Sequence, residues 1–84
     1  MIRKQLHEGV RLGAYKDREK DCRPVYVHGT VAGDIAIGWS RVGGEGWYWT
    51  LKPTGKIGVT CYKTQTEAAN ALKTAYAYWM AGER

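Results

Sequence analysis

Between Val25 and Cys61 the apolar side chains recur at every second position, and from Thr64 onward they recur at intervals of three and four. An alternating run sends successive side chains to opposite faces of a strand, whereas the longer spacing gathers them along one side of a helix. This change of period constrains the fold more than any other feature. Strands come first, one helix follows, and the apolar side of each has to be covered by the other.

The strand region divides at its turn-forming residues. Val25-Tyr26-Val27-His28-Gly29-Thr30-Val31 is rich in β-branched and aromatic residues and reads as a strand entered at Pro24. Ala32-Gly33-Asp34 supplies turn chemistry ahead of Ile35 to Arg41, in which Ile35, Ile37 and Trp39 share a face. Gly43-Gly44-Glu45-Gly46 predicts a hairpin, since glycine tolerates the positive φ of tight turns. Trp47 to Lys52 is the next strand, Pro53-Thr54-Gly55 the next turn, and Ile57 to Cys61 the returning strand.

The consecutive rings Trp47, Tyr48 and Trp49 then split by face. Alternation places Trp47, Trp49 and Leu51 on the helix side, with Ile57 and Val59 from the returning strand, and sends Tyr48, Thr50 and Lys52 outward. The chain has no phenylalanine, so its four tryptophans and six tyrosines must supply much of the buried area. Thr64-Gln65-Thr66-Glu67 fits a capping box. Ala68, Leu72, Ala75 and Trp79 mark the apolar helix face, with Ala69 and Tyr76 beside it and Gly82 as a stop. The expected architecture is α+β: an antiparallel sheet of three to five strands packed on one C-terminal α-helix over residues 64–81. The 84 residues suffice for one small domain.

Residues 1–24 read as a basic, partly flexible N-terminal segment. Val10 to Tyr15 offers a short strand, while Lys16-Asp17-Arg18-Glu19-Lys20-Asp21 alternates in sign and reads as a solvated loop. The net charge is +5, and the positive excess lies before residue 64. A basic surface attracts polyanions, nucleic acid first among them. The outward strand face offers Tyr48, Thr50, Lys52, Lys56 and Thr60, with Arg41 at the hairpin end: hydroxyls, three cations and no acid. A strand face of this kind can lie in a DNA major groove, where lysine or arginine donates to guanine and hydroxyls meet bases or phosphates. Ordinary solvated sheet faces use the same residue types. Arg3, Lys4, Arg11, Lys16, Arg18, Lys20 and Arg23 are further cations for phosphate contact, interspersed with acids.

Trp47 to Trp79 resembles the three-stranded DNA-binding domain of plant APETALA/ethylene-response factors and of the arm-binding domains of phage integrases. The likeness runs from the aromatic opening of a second strand, through Leu51 and Lys52, to the Gly55-Lys56 turn. It continues with Ile57 and Val59 and with the helix start Thr64-Gln65-Thr66-Glu67-Ala68-Ala69. The resemblance implies a sheet that enters the major groove with a helix supporting it from behind. It implies basic contacts at Lys52 and Lys56, Tyr48 and Thr50 on the groove side, and Tyr62 as a core aromatic. The family's first strand is usually arginine-rich, whereas Ile35 to Arg41 offers only Arg41, and Gly58 stands where a large contact residue is common.

Other classes find less support. His7, Cys22, His28 and Cys61 follow no zinc-binding spacing, no nucleophile-base arrangement is legible, and no cofactor is implied. The expectation is therefore a non-enzymatic protein. No apolar run reaches the ~18 residues of a membrane span, and the start lacks a signal-peptide segment, so a cytoplasmic protein with reduced cysteines is expected. The alternative function is a protein-interaction module, a small phage-type regulator or inhibitor of a larger protein, using Tyr26, Trp39, Tyr48 or Tyr78 as anchors. A homodimer through an unpaired edge strand is a third reading.

Overall fold

A computed structural model describes residues 5–16, 18–41 and 43–82 of the chain. Four strands, β1 (Val10–Leu12), β2 (Cys22–Val27), β3 (Thr30–Ser40) and β4 (Gly44–Leu51), precede one helix, α1 (Gln65–Gly82). The strands form an antiparallel meander in the order β1-β2-β3-β4. The helix lies across one face of it, chiefly against β4 and β3. The α+β architecture expected from the change of period is the one observed.

The core joins Val10, Val25, Val27, Ala32, Ile35 and Leu51 of the sheet to Ala68, Ala69 and Leu72 of the helix. Two adjacent alanines let the helix backbone approach the sheet closely. The half-buried rings of Trp47, Trp49, Tyr62, Tyr76 and Trp79 then close the borders of the small core. Thr64 caps the helix: its Oγ1 accepts from the Glu67 N–H at 3.1 Å and lies 3.2 Å from the Glu67 carboxylate, to which the hydroxyl donates. On the exposed side of that first half, Asn70 accepts from the His7 N–H and donates to the Gln5 carbonyl, holding residues 5–7 against the helix.

Three expectations are corrected. The first turn is not at Ala32-Gly33-Asp34 but at His28-Gly29, where φ is 51° and 82°. Val27 faces Thr30 across this two-residue connection, so both central residues need positive φ, as in a type I′ hairpin. Ala32 to Asp34 lies within β3. Val25 faces Gly33 while Tyr26 faces Val31, which leaves Ala32 as the extra residue of a β-bulge, tucked into the core. A Cβ on Gly33 would stand 1.9 Å from the Thr50 carbonyl oxygen, so the glycine serves the close approach of β4 rather than a turn.

The second correction concerns residues 57–61, which do not form a strand. Only two isolated bridges tie the returning chain to β4, Thr50 to Ile57 and Trp47 to Tyr62. Three steps along β4 are matched by five along the returning chain, so two residues bulge away and the alternation is lost. Ile57 stands opposite Thr50 and is exposed, Val59 is exposed as well, and Tyr62 packs against the core instead. Third, the β3–β4 turn comes before Gly44, since Gly44, Glu45 and Gly46 lie within β4 opposite Ser40, Trp39 and Gly38. Ile35, Ile37 and Trp39 do share a side of β3, with Ile35 fully buried and the other two open to solvent.

Candidate nucleic-acid interface

The face of the sheet turned away from α1 is fixed by register, because residues directly opposite one another share a side. Arg11, Tyr26 and Val31 form one row across it. Pro24, Asp34 and Thr50 form a second, and Cys22, Ala36 and Tyr48 a third. Its two tyrosines lie low on the sheet. The Tyr48 ring rests on Gly38, where an added Cβ would meet it at 2.7 Å. The Tyr26 ring sits beneath the Arg11 guanidinium, 5.0 Å from carbon to centroid, a cation–π contact.

The cations gather toward one end of β4. Lys52 leaves that strand and Lys56 follows the Pro53–Gly55 turn; both are exposed. Among the described residues neither forms an ion pair. Lys16 arrives from the segment between β1 and β2. Its backbone N–H donates to the Cys22 carbonyl at 2.8 Å, which carries the side chain over the sheet to an ion pair with Asp34. Lys16, Asp34, Thr50 and Lys52 line a shared hollow of about 290 Å³. The hydrogen bond to the Asp34 carboxylate holds the Lys16 ammonium above its ordinary value of 10.5, against the opposing effect of partial burial.

The structure places Tyr48 and Thr50 of the expected site on this face with Lys52 at its end. Lys56, expected on the same face, borders a hollow between α1 and the returning chain instead, because Ile57 and not Lys56 stands opposite Thr50. Arg41 is exposed in the β3–β4 turn, at the opposite end of β4 from Lys52, and the half-buried Thr60 sits in the irregular segment off the sheet. The face is not free of acid, because Asp34 stands opposite Thr50. Reading Asp34 as a turn residue hid it. Three contributors were not expected on this face: Arg11 and Lys16, read only as cations of the N-terminal segment, and Tyr26, read as an anchor for a protein partner. The alternation of Arg11 and Tyr26 with Val10, Leu12, Val25 and Val27 was the available signal, while the place of Lys16 depends on tertiary contacts.

Other sequence candidates have structural positions. Arg23 is occupied: its Nε donates to the Gly13 carbonyl at 2.8 Å and a terminal nitrogen donates to Gln65 Oε1 at 2.9 Å. Its guanidinium also lies 4.6 Å from the Tyr15 ring centroid. His28 belongs to the turn, with its imidazole against Gly9. Arg3, Lys4 and Asp17 lie outside the described residues. Cys61 is buried and Cys22 is half-buried at the start of β2, and the two form no disulfide with each other. Among the described residues no group of three or more His, Cys, Asp or Glu is placed to hold a metal ion. No described helix is long and apolar enough to cross a membrane. Comparison with family models, with curated proteins and with solved structures finds no match for this chain.

Proposed function

We propose that the chain binds nucleic acid, duplex DNA in particular, through the outward face of its sheet. The supporting observation is the convergence of Lys16, Thr50 and Lys52 on one hollow, with Lys56 beyond the adjoining turn. Cations from separate parts of the sequence meet beside a hydroxyl on a face whose tyrosine rings lie flat. In this reading Lys16, Lys52 and Lys56 contact phosphates, Thr50 and Tyr48 contact bases or sugars, and Arg41 anchors the hairpin end. The resemblance to sheet domains that enter the major groove supports the same assignment.

A titration of labelled duplex followed by fluorescence anisotropy, at about 50 and 200 mM salt, tests the proposal. Three phosphate contacts give a log–log salt slope of about −2.7, and Lys52→Ala or Lys56→Ala each makes it shallower by about 0.9. Tight binding to single strands with weak binding to duplex would overturn the duplex assignment. No binding to either at the lower salt would overturn the function.

A further inference from the structure

Where the outward face meets the edge of the sheet formed by β4 and the irregular return, a row of apolar side chains lies open. Trp39, Ile57, Val59 and Tyr78 keep 71%, 56%, 80% and 73% of their surface exposed. Two hollows connect them. One, of about 340 Å³, is bordered by Trp39, Tyr48, Ile57 and Val59. The other, of about 680 Å³, opens between α1 and residues 56–59 and is bordered by Ile57, Val59, Tyr78 and Trp79. Ile57 and Val59 border both, so the strip is continuous. Its origin is the extra pair of residues between the two bridges to β4, which pushes two large aliphatic side chains into solvent instead of the core.

We propose that this strip is the contact between two copies of the chain in a two-fold dimer. Size supports a protein-scale contact. The four side chains expose on the order of 500 Å², at the upper end of what monomers leave uncovered. Two strips face to face remove on the order of 1,000 Å² of apolar surface. With their polar rims they reach the range of about 1,200–2,000 Å² found in stable, specific interfaces.

Charge placement points to a second copy as the occupant. Glu45 stands opposite Trp39 at one end of the strip, with Arg41 further out in the turn. Lys56 borders the hollow at the other end, beside Tyr78. A two-fold axis passing near Ile57 and Val59 lays each Trp39 end on the other copy's Tyr78 end. Glu45 of one copy then meets Lys56 of the other, twice. The opposite edge of the sheet is a poorer seam, because β1 has three residues and offers few ladder bonds.

Sedimentation equilibrium from about 5 to 500 μM tests the dimer on the full chain. The wild type dimerises within that range, and higher salt strengthens association by screening the net charge of +5 on each copy. Val59→Glu and Tyr78→Ser, both at exposed positions, weaken the dimer at least tenfold while circular dichroism and melting temperature stay close to wild type. Glu45→Lys and Lys56→Glu each weaken it several-fold, and combining them restores it. A monomer at every concentration overturns the proposal and leaves the strip to a different protein. A dimer indifferent to Val59→Glu, or a double charge swap no tighter than its parents, overturns it as well.

Discussion

Arg23 supplies a hydrogen bond that its neighbour Pro24 cannot. In a regular antiparallel pair, Gly13 and residue 24 would exchange two backbone bonds. The Gly13 N–H does donate to the Pro24 carbonyl, at 2.9 Å, but proline has no N–H to return. The Arg23 Nε reaches the Gly13 carbonyl instead. Its other contacts, with Gln65 and the Tyr15 ring, tie β2, the segment after β1 and the helix start into one network, closed by Gln65 donating to the Tyr15 hydroxyl at 2.9 Å. Removing the guanidinium strands several partners at once, so Arg23→Ala is expected to cost about 2 kcal/mol. In Arg23→Ala/Pro24→Ala a backbone N–H becomes available to Gly13, and the pair is expected to recover about 1 kcal/mol relative to the sum of the single changes. A double-mutant cycle by urea unfolding measures this coupling, and strict additivity would remove the account.

At the scale of elements, the β2–β3 hairpin is held by a residue poorly suited to its turn. His28 adopts a φ of 51°, where asparagine and glycine are the better-tolerated residues. His28→Asn should therefore raise stability by about 0.5–1 kcal/mol, and β-branched His28→Val should lower it by more than that. In a domain of this size 1 kcal/mol moves the melting temperature by roughly 4–8 °C, so calorimetry resolves both. A lower midpoint for His28→Asn would mean that the imidazole's contact with Gly9 outweighs the turn. The same hairpin shows where sequence reading reaches its limit. The helix was legible to within a residue because its cap, its alanines and its apolar spacing are all local. The His28-Gly29 turn was not, because its first residue belongs to a run with strong strand character. Ile57 and Val59 alternate as strand residues should, yet their faces were decided by how the return registers against β4. Tyr48, Thr50 and Lys52 were placed correctly because β4 follows its own alternation, whereas Lys16 joins them only through folding.

At the scale of the whole molecule, one acid on the outward face decides how strongly the basic surface acts on a polyanion. Asp34 lowers the field at Thr50 and Lys52 and also occupies Lys16. Its ion pair stabilises the fold only modestly, by less than about 1 kcal/mol, because the Lys16 side chain is half exposed. Since the folded state raises the Lys16 pKa, that contribution is complete below the ordinary lysine value and is lost as pH rises through the raised one. Asp34→Asn removes a negative charge and releases a cation toward the same hollow. If the outward face meets phosphate, this variant should bind duplex more tightly than wild type at low salt. Its salt slope should stay close to wild type, because Lys16 already counts among the three phosphate contacts there. Glu19→Gln changes the net charge equally at an exposed position away from the strands and serves as the comparison. A matching gain in Glu19→Gln would reduce the effect to net charge, and no gain in Asp34→Asn would place the binding surface elsewhere. Salt also separates this face from the apolar strip, since raising it weakens phosphate contacts and strengthens pairing between two like-charged copies. Val59→Glu should therefore abolish the salt-strengthened association while leaving the salt slope for duplex, measured on protein too dilute to dimerise, close to wild type.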